Sequence, residues 1–496
     1  METVVSINSF LNGIVWGPVG LALLFIAGLW MTARTGVFQV SHFGHWMKQT
    51  IGAIFTNKHV TAHTGKEDRA ISQFQSLCTA LAATIGTGNI VGVSSAIITG
   101  GPGAVFWMWL MAILGMMTNY SENVLGIYYR RKNKNGEWSG GAMYYLEHGL
   151  GSYNGMKQVG KFLAILFSAF CALASFGIGN IAQVNSIAGN IENGFGLPKW
   201  VTGIAIVILA GLVIVGGLKR VAAVTEKLVP FMAIAYILLA LISILAHVTA
   251  VPAAFALIFK GAFSLQAAAG GAVGYGIKMA ITMGFKRGAF SNEAGLGSSV
   301  MVHSNSNVKE PVQQGMWGIF EVFADTIVVC TMTALVVLTS GLFDLSTGAL
   351  LNTDIEASSL VAECFRELVG PVGPMFIAVA VALFAFSTTL GWSHYGTKAM
   401  EYLTNDNRKI IAVYQIVFVG MSFFSATMDL GLAWDLSDTF NGLMMIPNLI
   451  GVLALSGTVA KITKNYVDRT FHDSKEKPMY SVYEDIQELQ ELTDEE

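Results

Sequence analysis

Residues 86–92 read GTGNIVG, a cluster of small residues around one asparagine inside a stretch, 71–98, that is otherwise apolar enough to cross a membrane. Glycine in the middle of a helix costs about 1 kcal/mol relative to alanine. Three glycines within seven residues therefore predict a break in this helix. A broken helix releases backbone amides and carbonyls, and the rest of the sequence indicates what binds them.

The composition is that of an integral membrane protein. Of the 496 residues, 53% are hydrophobic and 12% are charged, whereas soluble proteins carry about 25% charged residues. The net charge of −3 gives no indication of a nucleic-acid partner. The four cysteines lie in or beside separate apolar segments without paired spacing, which favours packing over a disulfide or a zinc site. We therefore predict an all-α polytopic membrane protein.

Hydropathy predicts eleven transmembrane helices. The first is expected to stay uncleaved, because residues 1–13 hold no Lys or Arg and the apolar run after them is long enough to span. The predicted spans are 14–33, 71–98, 102–129, 162–191, 200–217, 228–249, 268–298, 314–340, 372–397, 410–427 and 432–459. Lys and Arg are concentrated in every second loop, which the positive-inside rule assigns to the cytoplasm. The N-terminus is then outside and the C-terminus is cytoplasmic.

The glycine-rich break recurs five spans later, where residues 270–299 read GGAVGYGIKMAITMGFKRGAFSNEAGLGSS. Since five is odd, the two broken spans run in opposite directions, as in two inverted five-helix repeats (spans 2–6 and 7–11) preceded by one N-terminal helix. The predicted divisions are 1–33, the extracellular N-terminus and first span; 34–70, a cytoplasmic loop; 71–249, the first repeat; 250–267, an extracellular connector; 268–460, the second repeat; and 461–496, an acidic cytoplasmic tail that is a solvated helix or a disordered segment.

A helix broken at the membrane midplane suits ligands of both signs. Amides at the start of the second half-helix favour an anion such as a carboxylate, and carbonyls at the end of the first favour a small cation. The alternative is that Gly88 and Gly92 form a GxxxG contact for close helix packing. The matching break in the second repeat favours a ligand site and therefore an inverted-repeat transporter.

Three stretches also resemble a known family: GTGNIVGVSSAIITGGPGAVFWMW (86–109), SGGAMYYLEHGLG (139–151) and MGFKRGAFSNEAGLGSS (283–299). They are similar to the bacterial sodium:alanine symporters, also called alanine/glycine:cation symporters, and the likeness extends over residues 14–460. The resemblance implies a leucine-transporter-type fold in the bacterial inner (plasma) membrane and sodium-driven uptake of alanine and/or glycine by alternating access. The implied partners are a small neutral amino acid, sodium as the coupling ion and the lipid bilayer, with no other cofactor, no nucleic acid and no obligate protein partner.

The resemblance further implies site residues, since a zwitterion needs a dipole for its carboxylate, acceptors for its ammonium and a wall that limits its side chain. The implied substrate-binding residues are Thr87, Gly88 and Asn89 at the carboxylate, Asn292 from the other repeat, and the aromatic residues Phe176 and Trp392; helix packing is the alternative role for Phe176. Sodium is a hard cation that takes oxygen ligands. Its implied ligands are the carbonyls of Ala82 and Ile85 and the hydroxyls of Ser387 and Thr388.

The alternatives to a sodium-coupled transporter are a proton-coupled transporter, an enzyme and a channel. Glu293 adjoins Asn292 and either accepts a hydrogen bond from the substrate ammonium or carries a proton, which would make the chain a proton-coupled symporter of the same fold. Lys286 and Arg287 flank the same segment and either pair with it or form a cytoplasmic gate. The sequence contains neither an HExxH nor a Gly-x-Ser-x-Gly string, so an enzyme is not expected. Internal inverted repeats in one chain argue against a channel.

Overall fold

The computed structural model describes residues 2–64, 70–134, 136–263, 275–428 and 430–495, which are mostly helical. The first helices are α1 (Glu2–Val15), α2 (Pro18–Arg34), α3 (Phe38–Ser41), α4 (Phe43–Met47), α5 (Ala53–Thr56), α6 (Lys58–Thr61), α7 (Gln73–Thr84), α8 (Val91–Gly100) and α9 (Ala104–Tyr128). An antiparallel hairpin follows, with β1 (Arg131–Lys132) and β2 (Trp138–Ser139) paired as Arg131 with Ser139 and Lys132 with Trp138.

The remaining helices complete the chain. They are α10 (Ala142–Tyr144), α11 (Lys157–Phe176), α12 (Ala182–Phe195), α13 (Lys199–Ile214), α14 (Gly217–Ala246), α15 (Val251–Phe263), α16 (Tyr275–Asn292), α17 (Val300–His303), α18 (Pro311–Val322), α19 (Thr331–Thr339), α20 (Leu360–Val369), α21 (Val372–Leu403), α22 (Arg408–Thr427), α23 (Leu430–Ala454), α24 (Ser456–Phe471) and α25 (Glu484–Glu495). Short π-helical segments join α11 to α12 (Gly177–Ile181) and α18 to α19 (Phe323–Cys330), so each pair runs on as one long helix.

Within the described residues, seven helices are long and apolar enough to cross a membrane, or nine if each of two bent pairs counts as one span. The bent pairs are α7 with α8 and α23 with α24, each with an angle of 58°. These nine coincide with the predicted spans 1–4, 6 and 8–11. The predicted fifth span is the shorter apolar helix α13, and part of the predicted seventh span, 268–274, lies outside the described residues. The chain is therefore a multi-pass membrane protein.

The first predicted break lies where the glycines are. The half-helix α7 begins with a reciprocal cap, in which Gln75 N donates to Ser72 Oγ (3.1 Å) and Ser72 N donates to Gln75 Oε1 (3.2 Å). It ends at Thr84, and the chain resumes as α8 at Val91 after a single 3₁₀ turn. The predicted interruption of this span is thus a feature of the structure.

The second break follows Asn292, the last residue of α16. Glu293, Gly295 and Gly297 all have positive φ, at 58°, 90° and 72°. The left-handed region is readily open to glycine but strained for glutamate, so the chain cannot continue as a helix here. The short helix α17 follows at Val300.

Two ends of the molecule can be defined from α9, whose 25 residues extend about 37 Å. Its start lies beside Gly348 of the segment 341–359, because a Cβ on Gly348 would lie 3.3 Å from Pro102 Cγ. Its end runs into the β1–β2 hairpin. Following the predicted orientation, we call these the outer end and the inner end. The four cysteines are buried between them, in keeping with the predicted packing role.

The C-terminal tail contains the helix α25, and other parts of the tail pack against the rest of the protein. Helix α24 buries Val459 and Ile462, and Arg469 Nη2 lies 2.7 Å from Glu310 Oε2. Further along, Val482 N donates to the carbonyl of Tyr128 at the inner end of α9 (3.1 Å). Apolar and charged contacts hold one face of the tail against the membrane helices, and the acidic side chains lie mainly on its exposed face.

Candidate functional site

The backbone at the first break is held open by side chains. Gly86 N donates to Asn89 Oδ1 (2.9 Å), and Thr87 N donates to Gln183 Oε1 on α12 (3.2 Å). Thr87 is fully buried, and its Oγ1 has no hydrogen-bond partner among the described residues. Since buried hydroxyls are nearly always hydrogen-bonded, this unpartnered Thr87 hydroxyl marks a position where a polar ligand group would be accommodated.

Three oxygen atoms meet just before the break. Thr388 Oγ1 lies 3.0 Å from the carbonyl oxygen of Ala82, and Ser387 Oγ lies 3.3 Å from the same atom. Both hydroxyls also lie within 3.1 Å of the carbonyl oxygen of Phe384 in their own helix, α21. Ile85, three residues after Ala82, caps the end of α7 and is also buried. The structure thus brings Ala82, Ser387 and Thr388 together as an oxygen-rich corner between α7 and α21.

The two breaks are connected through Asp325, in the π-helical segment of the eighth predicted span. Asn89 Nδ2 donates to Asp325 Oδ1 (2.6 Å), and Ser291 Oγ donates to Asp325 Oδ2 (2.8 Å). Thr326 Oγ1 also donates to Oδ2 (2.8 Å). The side chain of Asn89 is therefore occupied by Gly86 and Asp325, and it shapes the break from within. All these donors to the fully buried carboxylate are neutral.

Gly88 is where the two broken helices touch. A Cβ on Gly88 would lie 3.1 Å from Ser291 Cα and 3.3 Å from Phe290 Cδ1. A Cβ on Gly92 would meet Arg287 Cδ only at 3.8 Å, an ordinary contact distance. Close packing therefore accounts for Gly88 but not for Gly92, so the GxxxG interpretation holds for one of its two glycines.

Asn292 and Trp392 lie on the other side of this contact. Asn292 caps the second break, with Ala294 N donating to its Oδ1 (3.0 Å), and its Nδ2 donates to Thr326 Oγ1 (2.9 Å). Trp392 is fully buried on α21, and its indole Nε1 donates to Glu293 Oε1 (2.7 Å). Glu293 thus anchors the indole.

Phe176 has different neighbours from Trp392. Its ring packs against Tyr414 and Phe418 of α22, with centroid distances of 5.5 and 5.7 Å. These contacts are those of helix packing, the alternative role considered from the sequence. The residue next to Trp392 on this side is Gly179, where a Cβ would lie 2.3 Å from Trp392 Cβ. Gly179 therefore permits the close approach of the π-helical turn to the indole.

Near the outer end, ion pairs join α16 to α23. Asp438 on α23 is fully buried and lies 2.7 Å from Lys286 Nζ and 3.1 Å from Arg287 Nη1. The rings of Phe290 and Trp434, on the same two helices, have centroids 4.9 Å apart. Lys286 and Arg287 precede the second break and lie next to α8, which the predicted orientation places in the outer half; a cytoplasmic gate at these residues does not fit that orientation.

At the inner end there is a cavity of about 440 Å³. Its lining includes Asn305, His394, Lys398 and Gln415. His394 lies two residues beyond Trp392 on α21, and its Nε2 has no hydrogen-bond partner among the described residues. A cavity thus lies at the inner end, whereas the ion pairs of Asp438 lie towards the outer end.

Gln183, Phe290 and Asp438 were not predicted as site residues. Asp438 carried a readable signal, an acidic side chain inside a predicted span. Gln183 carried a weaker one, as a polar residue in an apolar helix. Nothing in the sequence distinguishes Phe290 from the other 29 phenylalanines.

Comparisons with known proteins agree with this geometry. The family model for the sodium:alanine symporter family matches residues 1–481. The chain belongs to this family. One relative is the sodium/alanine symporter AgcS of Methanococcus maripaludis, 43% identical over 471 residues that cover 95% of this chain and 99% of AgcS. Another is an uncharacterized transporter of Haemophilus influenzae, 41% identical over 469 residues that cover 94% of this chain and 97% of that protein.

Membership of the sodium:alanine symporter family makes the chain a transporter and not an enzyme. Its fold is that of the leucine-transporter type. The structure is similar to that of MhsT in complex with L-phenylalanine, with a TM-score of 0.55 at 13% identity, over 80% of this chain and 99% of MhsT. The resemblance seen in the three sequence stretches is therefore confirmed at the level of family and fold.

Proposed function

We propose that the chain is a symporter that takes up a small neutral amino acid, alanine and/or glycine, together with sodium by alternating access. The observation that carries this proposal is the geometry of the first break. There the unpartnered Thr87 hydroxyl is available to a polar group of the amino acid, and the oxygens of Ala82, Ser387 and Thr388 suit a sodium ion. In this proposal Thr87, Gly88 and Trp392 contact the substrate, with Gln183 beside them. Asn89 and Asn292 hold the two breaks in shape, and Ala82, Ile85, Ser387 and Thr388 bind one sodium ion.

The proposal includes the full architecture predicted from the sequence. It has eleven spans, arranged as two inverted repeats after one N-terminal helix, with the N-terminus outside and the cytoplasmic tail starting near residue 461. The antiparallel packing of the two broken helices supports it: a Cβ on Gly100 of α8 would lie 2.9 Å from Met283 Cβ of α16, and Ser76 Oγ of α7 donates to the carbonyl of Val302 in α17 (3.3 Å). Labelling of single cysteines introduced at the two ends of α9, with a membrane-impermeant maleimide on intact cells, would test the orientation.

The test of the function is uptake of radiolabelled alanine and glycine into proteoliposomes. Three inward gradients are compared, of sodium, of potassium and of protons alone. We expect uptake with the sodium gradient only. Uptake driven by protons alone would instead support proton coupling, for which the buried carboxylates of Asp325 and Glu293, bonded to neutral groups, are the structural argument. Absence of uptake under all three gradients would refute the proposed substrates.

The Thr388→Ala variant is expected to raise the sodium concentration for half-maximal uptake by about tenfold, since one lost oxygen ligand costs on the order of 1.4 kcal/mol. The matched control is Thr389→Ala. Thr389 is equally buried, but its hydroxyl bonds only to the carbonyl of Ala385 in its own helix. Sodium titrations of initial uptake rates give the comparison, and an equal effect of both variants would remove Thr388 from the sodium site.

The Trp392→Ala variant is expected to relax the limit on side-chain size. Loss of the indole leaves a cavity where it packs against Gly179, so amino acids with larger side chains should compete better with labelled alanine. The Trp392→Phe variant keeps an aromatic wall but removes the hydrogen bond to Glu293. An unchanged competition profile in Trp392→Ala would show that the indole does not line the pocket.

A further inference from the structure

A second cavity, of about 220 Å³, lies at the outer end above the Asp438 ion pair. Helices α8, α16 and α23 form its walls, and residues 356–358 of the outer segment form its rim. The residues that matter for its chemistry are Arg287, Glu356, Trp434 and Asp435. It is distinct from the first break, because none of the residues 86–89 lines it.

Arg287 gives this cavity a cationic floor with unused hydrogen-bonding capacity. The residue is 7% exposed, and its guanidinium lies 4.9 Å from the centre of the Trp434 ring. Its Nη1 bonds to Asp438, while its buried Nε has no partner among the described residues. An arginine has five N–H donors in a planar fork that matches a carboxylate, so Arg287 can bind a second carboxylate without first giving up Asp438.

The rim has the opposite charge. Glu356 and Asp435 are both exposed and both line the cavity. A cation on the floor and two carboxylates at the rim complement a zwitterion, whose carboxylate would meet Arg287 and whose ammonium would meet the rim. A divalent metal is a poorer fit, because the described residues hold no group of three or more His, Cys, Asp or Glu side chains that could bind one, and the arginine would repel it.

The volume favours a small ligand. Drug-sized ligands occupy pockets of roughly 300–1,000 Å³, whereas about 220 Å³ corresponds to the space of about seven water molecules at roughly 30 Å³ each. That space holds an amino acid of few heavy atoms with its remaining water. The indole face of Trp434 offers an apolar surface for a short side chain.

We propose that this outer cavity is an entry site that binds the zwitterionic substrate before it reaches the break between α7 and α8. The inference rests on the proposed function, since it takes the cargo to be a small neutral amino acid. A substrate carboxylate bound at the free Nε shares the charge of the Arg287 guanidinium with Asp438, so loading of the entry site weakens the contact between Arg287 and Asp438. The cavity therefore couples arrival of the substrate to opening.

The test is a comparison of uptake from the two faces of the membrane by the full-length protein. The double variant Glu356→Gln/Asp435→Asn keeps the shape of the rim and removes its charge. In right-side-out vesicles we expect its KM for alanine to rise about tenfold while the maximal rate stays unchanged. In inverted vesicles, where the substrate enters from the inner end, the KM should equal that of the unmodified protein. The matched control is Asp354→Asn, an exposed acid of the same segment that does not line the cavity.

Each outcome of this experiment decides the matter. A KM that is unchanged in right-side-out vesicles, or that rises equally in both vesicle types or equally in Asp354→Asn, would overturn the entry site while leaving the proposed function intact. Failure of the unmodified protein to transport alanine or glycine from either face would refute the proposed function and the entry site together.

Discussion

The Gly86→Ala variant is expected to lose uptake by on the order of 100-fold, the effect of displacing a binding group by about 1 Å. A Cβ at this position would lie 2.3 Å from Thr388 Oγ1 and 3.1 Å from Gln183 Oε1. One methyl group would therefore push apart α7, α12 and α21 at the break. The measurement is the initial rate of sodium-driven alanine uptake per reconstituted protein.

The control for this variant is Gly92→Ala, in the same GTGNIVG stretch. Neither glycine has a positive φ, so neither substitution places alanine in the left-handed region, and the surroundings of the two positions differ. The Cβ at Gly92 would meet its nearest neighbour at 3.8 Å, and uptake should remain near that of the unmodified protein. If both variants transport equally well, the corner between α7 and α21 is not part of the transport site.

The Arg130→Ala variant is expected to lower the free energy of unfolding by about 3 kcal/mol or more, because each unsatisfied buried acceptor costs about 1–3 kcal/mol. Arg130 is 2% exposed, and its guanidinium donates to the carbonyls of Ser304, Ser306 and Val308, which follow the second broken helix. It also stacks over the Trp138 ring at 4.1 Å. Thermal unfolding of the detergent-solubilised protein would show the loss.

The neighbouring residue provides the control. Arg131 has the same charge but is exposed, and it stacks on Tyr483 of the tail at 3.8 Å. Exposed cation–π contacts contribute about 0.5–1 kcal/mol, so Arg131→Ala should shift the unfolding temperature much less. Equal shifts would mean that Arg130 acts through its charge alone and not through the three carbonyls.

The fold could be predicted from the sequence wherever one local property decided it. Apolar length identified nine of the spans, and three glycines in an apolar run located the first break. The second break was predicted only to within residues 270–299. Its position after Asn292 depends on the left-handed backbone of Glu293, which is stabilised by Trp392, nearly a hundred residues away in the sequence. Hydropathy carries no information on such a contact.

The site was harder to predict because the direction of a side chain is a tertiary property. Asn89 and Asn292 looked like ligands, yet each bonds back to its own break and to the eighth predicted span. Arg130 follows the predicted span 102–129 in a loop assigned to the cytoplasm, yet it is buried. Lys286 and Arg287 were predicted to pair with the broken segment or to form a cytoplasmic gate, and the sequence could not show that both bond to Asp438 on α23.

The contact between Gly88 and Ser291 has a mechanical consequence. Because the backbone of Ser291 packs directly against Gly88, moving the two broken helices apart would open a gap at this position. Any motion that opens one end must therefore either carry both as one rigid body or separate them at this glycine. If both helices move as one rigid body, the hinges lie at the ends of these helices. Helix α21, which carries Ser387 and Thr388, then belongs to the part of the molecule against which that body rotates.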